Sequence, residues 1–126
     1  MKVKSYRELI VWQKSMELAT LVFQVTKSFP KSEQYGLINQ IRRAAFSIPS
    51  NIAEGFCRGG RAEFRQFLQI AFASGAELET ELEIAKNIEI LQERDYTILI
   101  SKLGEIMRML NKMITNIRND QKKTSF

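Results

Sequence analysis

The residues in this 126-residue chain best placed to do chemistry are five arginines, and the chemistry is the holding of an anion. Arg42 and Arg43 are adjacent, while Arg58, Arg61 and Arg65 recur at steps of three and four around the pair Gly59 and Gly60. A helix opening near Arg61 presents free backbone amides and the positive end of its dipole to a phosphate, with Arg65 one turn further on. Guanidinium groups grip phosphate oxygens two at a time. Arg42, Arg43, Arg58, Arg61 and Arg65 are therefore the candidate contacts to an RNA backbone. The alternative is ion pairing with Glu54, with Glu63, or with an acidic helix of a neighbouring subunit. A single Arg-Gly-Gly is not an RGG repeat and does not favour either reading.

Other reactive types are sparse. Glu77, Glu79, Glu81 and Glu83 are dense enough to suggest a metal, but at helical spacing Glu77 and Glu81 share one face and Glu79 and Glu83 another. They are expected to form a solvated or inter-subunit acidic surface, with no bound metal. The chain has no histidine. That removes catalytic triads, Cys–His nucleophiles, His-ligated zinc and the Glu-x-x-His pairs of di-iron bundles. Cys57, the single cysteine, excludes an internal disulfide, fits a reducing cytosol and is expected to be structural. No cofactor and no enzymatic activity are expected.

The net charge of +5 is unevenly spread. Residues 1–65 hold 11 basic and 5 acidic groups, 66–97 hold 2 and 7, and 98–126 hold 6 and 2. A basic–acidic–basic order suits a nucleic-acid site or a self-complementary interface. The opening MKVKSYRELIVW lacks the apolar core of a signal peptide, and the longest uncharged run, 66–76, is far short of the roughly 20 residues of a membrane span. A cytoplasmic protein with no membrane partner is expected.

Four helical patterns must carry these groups. Ser5 and Glu8 spell a capping box, so a first helix is expected from about Tyr6 to Phe29, with Leu9, Trp12, Met16, Ala19 and Phe23 as one stripe and Leu18, Val22, Val25 and Phe29 as a second. Pro30 stops it. The second helix is expected at 33–57 after Ser32, with Leu37, Ile41, Ala44, Ala45, Ile48, Ile52 and Phe56 inward and a kink at Pro49. On its polar face Asn51 and Glu54 lie near Arg43 and Arg58. A role in tying the kink together is favoured for them over an exposed site. The third helix is expected at 61–91, along Phe64, Leu68, Ala71, Gly75, Leu78, Leu82 and Ala85, with a slim centre that another backbone can approach. The fourth is expected at 96–118 after Asp95, along Leu99, Leu103, Ile106, Leu110, Met113 and Ile117. Phe46, Phe72 and the line Ile100, Met107 and Ile114 look surplus to one core and are expected to face a partner. Trp12 is expected to pack in the core. Residues 119–126 are expected to be a polar, disordered tail on a single domain, 1–118.

The run QIRRAAFSIPSNIAEGF, followed by EFRQFLQIAFAS and ELETELEIA, resembles the 23S rRNA intervening-sequence protein family, also called the four-helix-bundle protein family. The segments YRELIVWQKSMELA and FPKSEQYGL fit as well, so the resemblance extends from about Tyr6 to Leu110. It implies an antiparallel four-helix bundle assembled as a homopentameric ring. A related branch, the accessory protein of diversity-generating retroelements, is a more basic pentamer that binds a reverse transcriptase and nucleic acid. Residue pattern and resemblance together predict an all-α, up-down-up-down bundle that self-associates and binds RNA or a ribonucleoprotein partner. The rival expectation is a protein-interaction adaptor whose charges serve assembly alone.

Overall fold

The capping box forms where its spacing places it: the backbone N–H groups of Lys4 and Ser5 donate to Glu8 Oε2 at 2.8 and 2.9 Å, and Arg7 N–H donates to Ser5 Oγ at 3.1 Å. The turn it caps is a single 3-10 turn, Tyr6–Glu8, not the first α-helix. Leu9 is extended, and helix α1 runs Ile10–Thr26. The computed structural model describes residues 2–124; the side chains of 34, 35, 123 and 124 lie outside the description. The other α-helices are α2, Asn39–Cys57, α3, Arg61–Asn87, and α4, Glu93–Thr124, and no strand occurs among the described residues. Helix α2 packs on α3, α3 on α4, and α1 on both α2 and α4, enclosing one apolar core.

Helix α1 departs most from expectation. Its inner face is Val11, Ser15, Leu18, Val22 and Thr26, while Met16 and Phe23 from the expected main stripe are exposed. Ser15 and Thr26 can enter the core because each hydroxyl donates back to its own helix, to the carbonyls of Val11 at 2.6 Å and Val22 at 2.8 Å. The second expected stripe holds: Leu18, Val22 and Phe29 are buried, with Val25 packed against them. Trp12 packs on the core from its edge, its ring 5.2 Å from that of Tyr6, with Arg7 over both rings.

The second segment begins at Lys31, but as a 3-10 turn and then a π turn, Gln34–Ile38, before the α-helix opens at Asn39. Its start is set by Pro30, whose carbonyl accepts from Glu33 N–H at 2.9 Å. The α2 core stripe follows its period: Ile41, Ala44, Ala45, Ile48 and Ile52 are buried, with Leu37 and Ile38 before them. The α-helical run is unbroken at Pro49, which is itself buried.

Helix α3 buries Leu68, Ala71, Gly75, Leu78, Leu82 and Ala85, as their alternating spacing predicts. At Gly75 a β-carbon would lie 2.2 Å from Met107 Sδ, so the slim centre admits the α4 side chain directly. The helix stops at Asn87, four residues early. Ile90 N–H bonds the Ala85 carbonyl and Glu89 N–H that of Lys86, a Schellman cap with Glu89 in the left-handed region at φ 66°. Helix α4 starts two residues before Asp95 and continues to Thr124, so 119–124 is helical where a disordered tail was expected. Ile117 is buried and Asp120 pairs with Arg61 of α3, which holds those last turns on the bundle. Ser125 and Phe126 lie outside the described residues.

Candidate functional site

The five arginines occupy two separate places. Sixteen residue steps along α2 separate Arg42 from Arg58, which is roughly 24 Å at 1.5 Å per residue. Arg42, in the first turn of α2, turns back to the end of α1. Its Nε donates to Thr26 Oγ1 at 2.8 Å, its Nη2 to the Phe23 carbonyl at 3.3 Å, and its guanidinium lies 4.1 Å from the centre of the Phe23 ring. It caps α1 and is partly buried there. Arg43, beside it in sequence, points to solvent and makes no ion pair among the described residues.

At the opposite end of α2, Gly59 at φ 87° reverses the chain and Gly60 precedes the first turn of α3 without a side-chain cap. Arg58 reaches back one turn to Glu54 Oε2 at 2.9 Å and also lies over the Phe67 ring at 5.2 Å. The hydrogen bond to Glu54, and then that carboxylate's charge, raise the Arg58 pKa above its ordinary value. Arg61 pairs with Asp120 of α4. Arg65 is partly buried, and its Nε has no partner among the described residues. The Arg61–Asp120 pair brings the last turns of α4, which carry Arg118 and Lys122, to the same end. Sequence reasoning could not place Asp120 beside Arg61, because nearly 60 residues separate them along the chain. Arg58, Arg61 and Arg65 are thus together, with Arg42 and Arg43 remote.

The residues around the proline form a polar seam. Asn51 Nδ2 donates to the carbonyl and to the hydroxyl of Ser47, both at 2.8 Å. Ser47 Oγ in turn lies 2.9 Å from Ser74 Oγ of α3. Asn51 therefore serves the Ser47 carbonyl and the α2–α3 contact, rather than the Ala45 carbonyl that Pro49 leaves without its donor. Glu54 belongs to the arginine end, through Arg58.

The acidic helix also differs from expectation. Glu77, Glu79 and Glu83 are exposed, but Glu81 is buried, at 8% exposure, and its Oε1 has no partner among the described residues. Burial first, and then the charge of Glu77, raise its pKa. Glu77 and Glu81 therefore do not share an exposed face. Among the described residues no group of three or more His, Cys, Asp and Glu could hold a metal ion. Cys57 is exposed at the end of α2 and so does not pack the core.

Two exposed apolar surfaces remain. A groove of about 380 Å³ between α1 and α2 is lined by Met16, Ala19, Phe23, Phe46 and Pro49, with Thr20 and Ser50. Phe46 is exposed as expected, whereas Phe72, Ile100 and Met107 pack on the core and Ile114 lies within it. The second surface is a ridge along α3, where Ile70 and Ile84 are exposed, continued by exposed Ile88 at the helix's C-cap. Its signal was present in the sequence: Ile70, Glu77 and Ile84 are seven apart, on a line separate from the core stripe.

A family model described as "23S rRNA-intervening sequence protein" matches residues 7–112. No curated protein matches the chain. Among solved structures, a protein with unknown function from the S23 ribosomal protein family of Bacteroides thetaiotaomicron superposes with a TM-score of 0.77 at 31% identity, covering 83% of this chain and 98% of that one. No helix among the described residues is long and apolar enough to cross a membrane.

Proposed function

The chain belongs to the 23S rRNA-intervening sequence protein family, and from that premise we propose that it is a non-catalytic, cytoplasmic, homo-oligomeric scaffold that binds RNA or a ribonucleoprotein partner. The observation that carries this reading is that Arg58, Arg61 and Arg65 flank the α2–α3 turn, at the end of the molecule where the last turns of α4 pack against Arg61. Contacts support an up-down-up-down bundle: Arg42 at the start of α2 meets the end of α1, Gly55 at the end of α2 meets Phe64 and Phe67 at the start of α3, and Arg61 meets the end of α4. The pentamer remains the resemblance's contribution to the proposal.

Binding that rests on phosphate contacts weakens steeply as salt rises, with each contact adding about −0.7 to the logarithmic slope on single strands. The triple variant Arg58→Ala, Arg61→Ala and Arg65→Ala is expected to weaken RNA binding and flatten that slope by about 2. RNA affinity unchanged by salt and by the triple variant rejects the site.

A second reading is favoured by a specific observation: Arg58 and Arg61 already hold Glu54 and Asp120. In that reading the protein is an adaptor whose charges serve folding and assembly. It predicts no RNA affinity in the wild type at low salt, and loss of assembly or stability in the triple variant. Light scattering with and without RNA, at two salt concentrations, separates the two.

A further inference from the structure

Resting on the homo-oligomeric reading, we propose that copies join head to tail, the α3 ridge of Ile70, Glu77, Ile84 and Ile88 on one copy seating in the α1–α2 groove of Met16, Phe23 and Phe46 on the next. Steps of seven keep Ile70, Glu77 and Ile84 within a sector of roughly 40° on α3 at 3.6 residues per turn, and Ile88 follows at the helix's C-cap. Three of the four are isoleucines left in solvent, Ile84 at 45% exposure, which is the spacing of knobs that lack a partner helix. The groove is the matching recess: two helices separated enough to leave an apolar trough, with Phe46 at 42% exposure on its wall.

Charge decides which surface meets which. Glu77 is the ionisable group at the centre of the ridge, exposed and without an ion pair among the described residues. Arg43 stands at the groove's edge, lining a recess that shares Phe23, Phe46 and Ser50 with it, and is likewise unpaired among the described residues. Its neighbours Arg42 and Lys27 are already committed to the end of α1 and to the Phe23 ring. Pairing ridge with ridge sets Glu77 against Glu77, and pairing groove with groove sets Arg43 against Arg43, both repulsive. Only ridge in groove joins opposite charges and covers both apolar surfaces. Such a contact uses different patches on the two partners, so it propagates, into a ring or an open filament according to the rotation between copies, rather than ending at a symmetric pair.

The test uses light scattering on the full chain with Phe46→Glu in the groove and Ile84→Arg on the ridge, and with the milder Phe46→Ser and Ile84→Ser should the first pair lose helicity. Each variant alone is expected to weaken assembly about tenfold or more. Mixing the groove variant with the ridge variant leaves one intact ridge and one intact groove, so a one-to-one dimer is expected. Arg43→Glu and Glu77→Arg should each dissociate the assembly, and the two combined in one chain should restore it. A wild-type oligomer indifferent to all four positions, or a mixture that yields no dimer, overturns the head-to-tail contact and leaves the oligomeric reading standing. A wild type that scatters as a monomer at high concentration overturns the oligomeric reading itself.

Discussion

Ser47 Oγ of α2 and Ser74 Oγ of α3 lie 2.9 Å apart, the one side-chain hydrogen bond recorded between these two helices among the described residues, and Asn51 fixes the first of them from one turn away. Around it α2 and α3 meet through small or apolar side chains, so the pair acts as a register mark in a contact that apolar packing alone leaves free to slide.

Ser47→Ala should lower stability by about 1 kcal/mol, because it strands the buried Ser74 hydroxyl and removes an acceptor of Asn51, while Ser74→Ala should cost less, because Ser47 Oγ keeps its bond from Asn51. The double variant should cost little more than the worse single, since both remove the same bond. Thermal or urea melts of the four proteins make the comparison, and additive losses would show that the two hydroxyls act independently.

Glu81→Gln should stabilise the protein at neutral pH. The folded state raises this carboxyl's pKa, by burial and then by the charge of Glu77. Its favourable contribution is therefore complete below the unfolded value of about 4.3 and is lost as pH rises through the folded pKa. The variant's advantage should be about 1 kcal/mol at pH 7 and should vanish at pH 4 or below. An advantage independent of pH would assign the effect to packing instead.

Glu89→Gly should also stabilise. Glu89 closes the Schellman cap of α3 at φ 66°, a conformation that costs a β-carbon-bearing residue about 1 kcal/mol and glycine nearly nothing. A gain of roughly 0.5–1 kcal/mol in a urea melt is expected. A loss would mean that the Glu89 side chain contributes something its exposed position does not reveal.

Gly55→Ala should destabilise, against helix propensity. Alanine in a helix interior is favoured over glycine by about 1 kcal/mol, but here the new methyl would lie 2.5 Å from Phe67 Cβ, an atom tied to the α3 backbone. Forcing the helices apart typically costs about 1–3 kcal/mol. A melting temperature unchanged or raised in the alanine variant would show that the α2–α3 crossing can widen freely.

Sequence alone determined the four helices, the main core stripes of α2, α3 and α4, and the family, but it set Phe72, Ile100, Met107 and Ile114 outside the core that they join. A periodic apolar stripe carries its own direction, and Leu68, Ala71, Gly75, Leu78, Leu82 and Ala85 keep one unbroken phase along α3. It failed on α1, where apolar residues occupy two faces and two hydroxyls bury themselves by bonding their own helix. There periodicity offers several phases, and only the neighbouring helices select Val11 over Met16. The same limit applied to the candidate site. The types and the local spacing of Arg58, Arg61 and Arg65 were legible. Tertiary structure alone sent Arg42 back to Thr26, set Asp120 against Arg61, and drew Glu81 under cover. In each case the deciding contact or burial depends on helices brought together across the bundle, and one-dimensional spacing is blind to what lies across a helix seam.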